Sequence, residues 1–387
     1  MADKGHLKIG IACGGTGGHI FPGLATARAL RRRGHEVMLW LVGRDLEPVA
    51  LEGWEGKVVT VHARGFSSRF SPRNAGVLWS LFLSVLTCAR TMKRSRPDVL
   101  LAMGSYASVG PVLAAKRLGI PVVLHEANVV PGRAIRLLSP VARTVAIGFE
   151  ETRQVLRHKH VVLTGMPLRE AAREDSSDEL WNGLKDNGFT VLIMGGSRGA
   201  HTLNMMGSSA VIRLYQEARG VQVIHLTGSS DEAVIRAGYE RVGVPHAVFG
   251  FLGDVRQAYR RAALAVCRSG ASTCAELSCY GVPALLVPYP FATHQHQLAN
   301  ARALEKSGSA DVRKEDELTE EWIVDYLRGH VSDHGRLESM KEAARNRVSE
   351  DAASALADLV EEAAGHYAER GTRNGEPIER GSRSAER

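Results

Sequence analysis

Two short glycine-rich segments, GGTGGH at 14–19 and GGSRGA at 195–200, constrain the fold of this chain more than any other feature. Each segment follows an apolar run, at 7–12 and at 189–194, and each precedes a stretch with helical spacing. A glycine turn between a strand and a helix lets the backbone approach a phosphate at the start of the helix. The repetition predicts two α/β units in one chain.

The length and the remaining apolar runs agree with two domains. The chain has 387 residues, more than the roughly 250–300 that one hydrophobic core accommodates. Further apolar runs occur at 37–42, 58–61, 98–102, 121–124, 144–147, 221–226, 246–249, 264–267 and 283–287. Strands that alternate with helices imply parallel sheets covered on both faces. We therefore predict one domain over 1–168, a second over 169–368, and a polar, disordered tail over 369–387.

The composition is that of a globular protein, with 44% hydrophobic and 24% charged residues. The formal net charge of +7 is compatible with nucleic acid, an acidic membrane surface or a phosphorylated ligand, and it does not choose among them. The five cysteines form no CxxC pair, which indicates a reducing compartment. With no secretory leader and no apolar stretch of about 18–20 residues, we expect a cytoplasmic protein.

The segment 76–97 is apolar nearly all round for over three turns and ends in basic residues. One interpretation is a buried helix with a solvated basic end. The other is an interfacial surface that inserts apolar side chains among lipid headgroups while its basic residues meet anionic phosphates. The side chains that would contact a membrane are Trp79, Phe82, Leu83, Arg90, Lys93 and Arg94.

The first glycine turn does not fit the dinucleotide pattern GxGxxG. Counted from Gly15, the third glycine position holds Ile20, and the predicted second strand does not end in an acidic residue. A phosphate cradle therefore remains as the functional interpretation. His19 ends the turn, where an imidazole could take a proton from a hydroxyl nucleophile, although a capping or packing histidine is equally compatible.

A third turn, at 269–273, follows the apolar run 264–267 and opens another predicted helix. Glu276 comes three residues after Thr273, as in a capping box, but its carboxylate could instead bind the vicinal hydroxyls of a ribose. All three turns lie at strand carboxyl ends, so one shared cleft is expected. We predict no metal site, because His294 and His296 have no further ligands at suitable spacing.

Four stretches together, at 14–25, 103–134, 195–204 and 267–301, resemble the MurG family of glycosyltransferases, and the resemblance extends from residue 7 to about 345. It implies an α/β GT-B fold, in which two facing Rossmann-like domains with parallel sheets enclose a cleft. The second domain would hold UDP-GlcNAc and the first the acceptor. The implied reaction is inverting transfer of N-acetylglucosamine to the MurNAc hydroxyl of lipid I, giving lipid II for peptidoglycan synthesis, without a cofactor or metal.

The resemblance also implies the surroundings of the enzyme. It would act as a peripheral protein on the anionic cytoplasmic face of the inner membrane. Its partners would be UDP-GlcNAc, lipid I and other cell-wall synthesis proteins, and nucleic acid would not be one of them.

The resemblance carries over to individual residues. The candidate bases are His19, which matches the histidine of the family loop, and after it Glu126. The implied substrate-binding residues are Thr16, Gly17, Gly18, Asn128, Arg169, Ser197, Leu252, Ala271, Ser272, Thr273, Glu276 and Gln297. Within this set, Asn128 and Gln297 would contact the sugar, Glu276 the ribose and Ala271–Thr273 the diphosphate. Departures from the family pattern occur at Ala127, at Arg198 and over 293–295.

Two alternatives of different classes stay open. Another GT-B enzyme that uses a UDP-sugar, such as a UDP-GlcNAc 2-epimerase or a glycosyltransferase with a soluble acceptor, would share the fold and the nucleotide site. A catalytically idle membrane adaptor would share only the fold and the basic apolar segment. His19, Asn128, Glu276 and Gln297 are all present, which argues against the adaptor.

Overall fold

Two parallel β-sheets, each covered by helices on both faces, make up the part of the protein that the structure describes. A computed structural model describes residues 6–15, 17–42, 51, 53–61, 73–169, 178–185, 188–196, 200–218, 220–347 and 351–373. Of the residues singled out in the sequence, Thr16, Ser197 and Arg198 lie outside these ranges, as does the tail from 374 onward.

The first sheet has seven parallel strands in the order β3-β2-β1-β4-β5-β6-β7. Its strands are β1 (Lys8–Ala12), β2 (Glu36–Val42), β3 (Lys57–Val61), β4 (Val99–Ala102), β5 (Val122–Glu126), β6 (Thr144–Ile147) and β7 (Val161–Leu163). The strand order reverses between β1 and β4. The connections that leave these two strands therefore diverge and open a crevice at their carboxyl ends, where ligands bind in this class of fold.

The second sheet has six parallel strands in the order β10-β9-β8-β11-β12-β13. Its strands are β8 (Phe189–Met194), β9 (Val221–Leu226), β10 (His246–Phe249), β11 (Leu264–Cys267), β12 (Ala284–Leu286) and β13 (Ala310–Val312). Here the order reverses between β8 and β11, the strands that precede the second glycine turn and the turn at 269–273. The prediction of two facing α/β units with parallel sheets is confirmed.

Thirteen helices surround the sheets within the described ranges. They are α1 (Gly17–Arg32), α2 (Arg73–Ser95), α3 (Val109–Arg117), α4 (Arg133–Leu138), α5 (Thr152–Val155), α6 (His201–Ala218), α7 (Glu232–Val242), α8 (Arg256–Arg261), α9 (Ala271–Tyr280), α10 (His296–Lys306), α11 (Glu320–Ser332), α12 (His334–Arg345) and α13 (Ala352–Arg373). Alternate strand residues enter opposite cores. Ile9 and Ile11 pack with α1, whereas Trp40 and Leu100 pack with α3.

The last helix, α13, crosses back and completes the core of the first domain. Leu356 and Val360 are fully buried beside Leu30 of α1. The carboxylate of Glu361 lies 3.1 Å from both Arg33 Nη1 and His35 Nε2. The sequence-based division, which ends the second domain at 368, does not anticipate this crossing. The helix also continues to Arg373, into the first residues of the predicted tail.

The connection between the domains borders a cavity of about 430 Å³. Met166 and Leu168 of the connection line it, together with Phe149 of the first domain and Arg347, which follows α12. Arg347 donates to the carbonyl of Ala303 at 3.0 Å and lies over the Phe149 ring. The two domains therefore contact each other on this side as well as across the cleft.

Candidate active site

The carboxyl ends of the two sheets meet at one interface. Asn300, fully buried in α10, donates from Nδ2 to Asn128 Oδ1 at 3.1 Å and to the carbonyl of Ser269 at 3.2 Å. Asn128 follows β5 of the first sheet, and Ser269 follows β11 of the second. Because ligand sites of parallel α/β sheets lie outside the carboxyl ends of the strands, this interface is the candidate site.

The first glycine turn ends directly in α1. Gly15 has a φ of +99°, a conformation that residues with a Cβ rarely adopt, and α1 begins at Gly17. Gly17 and Gly18 are exposed, so the first N–H groups of this helix are open to an anion. His19 is the third residue of the helix and is partly exposed. Its imidazole therefore belongs to the first turn of α1, as the sequence predicted.

The segment after β5 is folded around the carboxylate of Glu126. Its Oε1 accepts from the backbone N–H of Asn128 at 2.8 Å and from Asn128 Nδ2 at 3.2 Å, and its Oε2 accepts from the N–H of Gly132 at 2.7 Å. Burial raises the pKa of Glu126 above its ordinary value, and these donors act in the opposite direction. Glu126 thus orders the 126–132 loop, which is a different role from the second-choice base that the sequence suggested.

The connection between the domains is held by residues of both halves. Arg169 donates from Nη1 to the carbonyl of Gly253 at 3.2 Å, and its guanidinium lies over the ring of Phe21 in α1. His125 lies 3.0 Å from the carbonyl of Gly165, and its burial lowers its pKa to about 4. Neutral His125 therefore donates to the connection, and Arg169 joins α1 to the loop that precedes α8.

Helix α9 begins at Ala271 with Gly270 as its N-cap, so no side chain caps it. Ala271, Ser272 and Thr273 form its first turn, directly after Ser269. Their backbone N–H groups are the groups that an α-helix leaves unpaired, and they lie at the positive end of its dipole. The turn is therefore suited to an anionic group such as a diphosphate.

The capping-box interpretation of Thr273 and Glu276 is wrong. Because the helix starts at Ala271, Thr273 is already inside it and Glu276 is one turn further on. Glu276 Oε2 instead accepts from the hydroxyl of Tyr259 at 2.9 Å. Burial raises the pKa of Glu276 to about 7, and the bond from Tyr259 lowers it. This leaves Glu276 as a carboxylate with one oxygen held by Tyr259.

Gln297, in the first turn of α10, and Leu252, in the loop between β10 and α8, approach the same edge. Gln297 Oε1 accepts from the backbone N–H of Tyr289 at 2.9 Å, and its carbonyl accepts from Ser269 Oγ at 2.8 Å. Leu252 is partly buried between the exposed Phe251 and Gly253. The bond to Oε1 fixes the orientation of the whole amide group of Gln297, and with it the direction of its nitrogen.

Helix α2 combines features of both interpretations of the 76–97 segment. Ser84, Cys88 and Met92 lie on the face of α2 that is buried against the rest of the first domain. Trp79, Phe82 and Leu83 are 62%, 51% and 45% exposed, and the rings of Trp79 and Phe82 stack at 5.6 Å. The basic residues Arg90, Lys93 and Arg94 are exposed as well. No helix in the described part of the chain is long and apolar enough to cross a membrane.

The described residues contain no group of three or more His, Cys, Asp or Glu side chains arranged to hold a metal ion. His294 instead accepts from Arg133 Nε at 3.2 Å, a further polar contact between the domains, here between α4 and the loop before α10. His296 Nδ1 lies 2.7 Å from the carbonyl of Thr293. These two histidines therefore serve local and cross-domain contacts.

Sequence reasoning did not identify Asn300 or Tyr259 as residues of the site, and it included Ser269 only as the first residue of the turn at 269–273. A polar residue at position 300, flanked by Ala299 and Ala301 in a helical stretch, was the available signal for Asn300. Buried polar groups need hydrogen-bond partners, so an asparagine on an apolar helix face indicates a polar neighbour. Nothing in the sequence identified that neighbour as the opposite domain.

Sequence comparison identifies both domains. The pattern described as the glycosyltransferase family 28 N-terminal domain matches residues 9–147, and that of the family 28 C-terminal domain matches residues 190–360. A relative from Geobacter metallireducens is 35% identical over 354 residues, which are 91% of this chain and 97% of the relative. That relative is named UDP-N-acetylglucosamine--N-acetylmuramyl-(pentapeptide) pyrophosphoryl-undecaprenol N-acetylglucosamine transferase.

Structural comparison gives the same result. The crystal structure of Acinetobacter baumannii MurG matches with a TM-score of 0.75 at 28% identity, over 92% of this chain and 99% of that one. A putative UDP-N-acetylglucosamine 2-epimerase from Listeria monocytogenes matches with a TM-score of 0.66 at 15% identity, over 93% and 98% of the two chains. The second similarity reflects the fold alone.

Proposed function

The chain belongs to the MurG family of glycosyltransferase family 28, and on this premise we propose how its two domains carry out the family's reaction. The enzyme transfers N-acetylglucosamine from UDP-N-acetylglucosamine to undecaprenyl-pyrophosphoryl-N-acetylmuramyl-pentapeptide, so that lipid I becomes lipid II. Hydrogen bonds among Asn128, Asn300 and Ser269 bring the carboxyl ends of both sheets together. This contact is the observation that supports placing the reaction between the two domains.

The second domain binds the donor in this proposal. The first turn of α9 receives the diphosphate of UDP-N-acetylglucosamine, because its N–H groups have no side-chain cap. Glu276 accepts from the ribose hydroxyls with the oxygen that Tyr259 leaves available. The backbone at Leu252 meets the uracil, and Gln297 donates from its amide nitrogen to a sugar hydroxyl. Thr16 and Ser197, outside the described residues, remain proposed diphosphate contacts from the two glycine turns.

The chemical step is a displacement at the anomeric carbon. The MurNAc hydroxyl of the acceptor attacks C1 as the C1–O bond to UDP breaks on the opposite face, which inverts the configuration. UDP leaves as an anion, so it needs charge stabilisation more than a proton, and the N-terminus of α9 with Arg169 supplies it. The proton of the acceptor hydroxyl passes to a base.

His19 is the base in this mechanism. It lies in the first turn of α1, at the end of the first glycine turn, and is partly exposed. An imidazole there can take a proton near neutral pH. Glu126 is less suited, since both of its oxygens already accept hydrogen bonds from the 126–132 loop. We assign Glu126 to holding Asn128 in place, from which Asn128 reaches the sugar.

The acceptor is lipid-linked, and helix α2 is the proposed membrane contact. Trp79, Phe82 and Leu83 form an exposed apolar face on it. Arg90, Lys93 and Arg94, further along the same helix, would meet anionic phosphates at the cytoplasmic face of the inner membrane. This contact would bring the first domain to the surface in which the undecaprenyl chain is anchored. Other cell-wall synthesis proteins are proposed to meet the enzyme at that surface.

The test of the assignment is a product assay. Purified protein is incubated with radiolabelled UDP-N-acetylglucosamine and a lipid I analogue, and the lipid fraction is separated by chromatography. We expect label in a product with the mobility of lipid II and none when the acceptor is left out. Conversion of the donor, in the absence of acceptor, to the UDP-sugar with the opposite configuration at C2 would instead identify a 2-epimerase. Failure to bind UDP-N-acetylglucosamine in calorimetry would indicate a membrane adaptor.

A further inference from the structure

Asn300 connects the two domains through an amide that is hydrogen-bonded at its oxygen and at both N–H groups of its nitrogen. Its Oδ1 accepts from the backbone N–H of Val129 at 3.0 Å, and its Nδ2 donates to Asn128 Oδ1 and to the Ser269 carbonyl. The side chain is fully buried. Two of its three partners belong to the first domain and one to the second, so two of its three bonds cross the interface.

The orientation of this network is fixed at both ends. The N–H of Val129 can only donate, so it must face an oxygen of Asn300, and the nitrogen of Asn300 must then face the oxygen of Asn128. The nitrogen of Asn128 consequently faces the Glu126 carboxylate, which can only accept when ionised. One N–H of Asn128 stays available, so Asn128 meets a ligand as a hydrogen-bond donor.

The two segments that Asn300 joins are the two that must converge on the sugar diphosphate. On one side is the 126–132 loop, which is held by Glu126 and by Thr152 Oγ1, the latter donating to the Asn128 carbonyl at 3.1 Å. On the other side is the turn that opens α9, in which Ser269 Oγ donates to the Gln297 carbonyl. If the domains separate, the bonds to Asn128 and Val129 break while the bond to Ser269 remains.

We propose that Asn300 is a positioning residue that sets the closed arrangement of the two domains and, through Asn128, places a hydrogen-bond donor against the donor sugar. This inference rests on the proposed function for the identity of the sugar. Asn300 contacts no substrate itself. Asn300 acts only when the domains are closed. Its loss should therefore lower kcat more than it weakens nucleotide binding by the second domain.

The main test compares Asn300→Ala with Gln222→Ala. Gln222 is also buried in the second domain and makes four polar contacts, but it lies near the amino end of β9, at the edge of the sheet opposite the cleft. Loss of two cross-domain hydrogen bonds, with their partners left unpaired, should lower kcat of Asn300→Ala by about 10- to 100-fold. Its Kd for UDP in calorimetry should stay within about threefold of that of the wild type. Gln222→Ala should keep kcat within about threefold.

A double-mutant cycle distinguishes positioning from general loosening of the fold. If Asn300 acts through Asn128, kcat of the double variant Asn128→Ala/Asn300→Ala should be within about threefold of the slower single variant. Multiplicative losses would overturn the inference. So would equal losses of kcat and UDP affinity in Asn300→Ala, or a kcat like that of Gln222→Ala.

A second measurement detects the arrangement of the domains directly and does not depend on turnover, so it applies even if the protein catalyses a different reaction. Small-angle X-ray scattering with saturating UDP-N-acetylglucosamine should give a larger radius of gyration for Asn300→Ala than for the wild type. Asn300→Asp keeps the acceptor for the N–H of Val129 but places its second carboxylate oxygen against Asn128 Oδ1 and the Ser269 carbonyl oxygen. It should show the same increase in the radius of gyration. Identical scattering of wild type and both variants refutes the inference. Absence of lipid II from the wild type refutes the proposed function instead.

Discussion

Glu276→Gln should weaken donor binding, remove its pH dependence and stabilise the free protein. The carboxyl group is taken out of water, so its pKa rises from the ordinary 4.5 to about 7, with the Tyr259 hydroxyl acting in the opposite direction. Ribose hydroxyls donate best to the ionised form. UDP-N-acetylglucosamine should therefore bind well above pH 7 and progressively worse as the pH falls.

The size of the effect follows from the titration. With a pKa of about 7, the ionised fraction of Glu276 rises from about one tenth at pH 6 to about nine tenths at pH 8. The KM for UDP-N-acetylglucosamine should then fall about tenfold over this interval. Gln cannot ionise, so the KM of the variant should be flat. At pH 8 it should lie about 10- to 100-fold above that of the wild type, because charge-assisted bonds are lost.

The same pKa predicts a stability change of the opposite sign. A carboxyl group whose folded-state pKa is raised costs nothing well below pH 4.5, where it is protonated in both states, costs little at pH 4.5, and costs most above pH 7. The full cost is up to about 3.5 kcal/mol, since each pKa unit corresponds to about 1.4 kcal/mol. Glu276→Gln keeps an acceptor for Tyr259 and should therefore melt at a higher temperature than the wild type at pH 8, but not at pH 4.5.

Steady-state kinetics from pH 6 to 8 and calorimetric melting at pH 4.5 and 8 measure both effects. Tyr259→Phe is the matched control. It removes the bond that lowers the pKa of Glu276, so the midpoint of the KM profile should move to higher pH. A wild-type KM that does not change between pH 6 and 8, or a Gln variant with the wild-type profile, would refute the reasoning.

Three further perturbations address other parts of the molecule. His19→Ala should lower kcat by about 10²- to 10⁴-fold with little change in the Kd for UDP, and a kcat within a few-fold of wild type would exclude His19 as the base. Replacing Trp79, Phe82 and Leu83 with Ser should lower the affinity for anionic liposomes, measured by co-sedimentation, about 100-fold. Each of these half-exposed side chains contributes about 1 kcal/mol when it inserts into the membrane. As a control, Val234→Ser, on the exposed surface of the second domain, should leave liposome binding unchanged. Glu361→Ala should lower the free energy of unfolding in urea by about 2–4 kcal/mol, because it leaves buried His35 and the Arg33 guanidinium without their shared carboxylate. Asp358→Ala, which removes an exposed partner of Arg33, should cost less than about 1 kcal/mol, and equal losses would contradict this account.

The architecture was predictable because its signals are local. The apolar run 189–194 marks β8, and the glycine turn at 14–19 marks the start of α1. Neither signal depends on distant residues. The family resemblance is confirmed by the matches over 9–147 and 190–360. The placement of His19 in the first turn of α1 followed from the same local pattern.

The parts that sequence reasoning missed depend on contacts between distant segments. Thr273 and Glu276 have capping-box spacing, but the helix starts two residues before Thr273, and Glu276 is paired with Tyr259, 17 positions away. Asn300 and Asn128 are 172 positions apart. The spacing of residues along one helix carries no information about such pairs. Helix α2 was ambiguous for a related reason, since its buried face became identifiable only once α3 was placed beside it.

The return of α13 to the first sheet bears on how the protein folds during synthesis. Leu356, Val360 and Ala364 cover the same core as Ile9 and Leu24, yet the ribosome makes them more than three hundred residues later. Until they emerge, one face of the first sheet lacks part of its cover, and contacts between residues this far apart in sequence form slowly. The second domain can complete its own sheet first. A nascent chain that stops before Ala352 would therefore hold a finished second domain beside a first domain with exposed apolar surface, the kind of intermediate that chaperones retain.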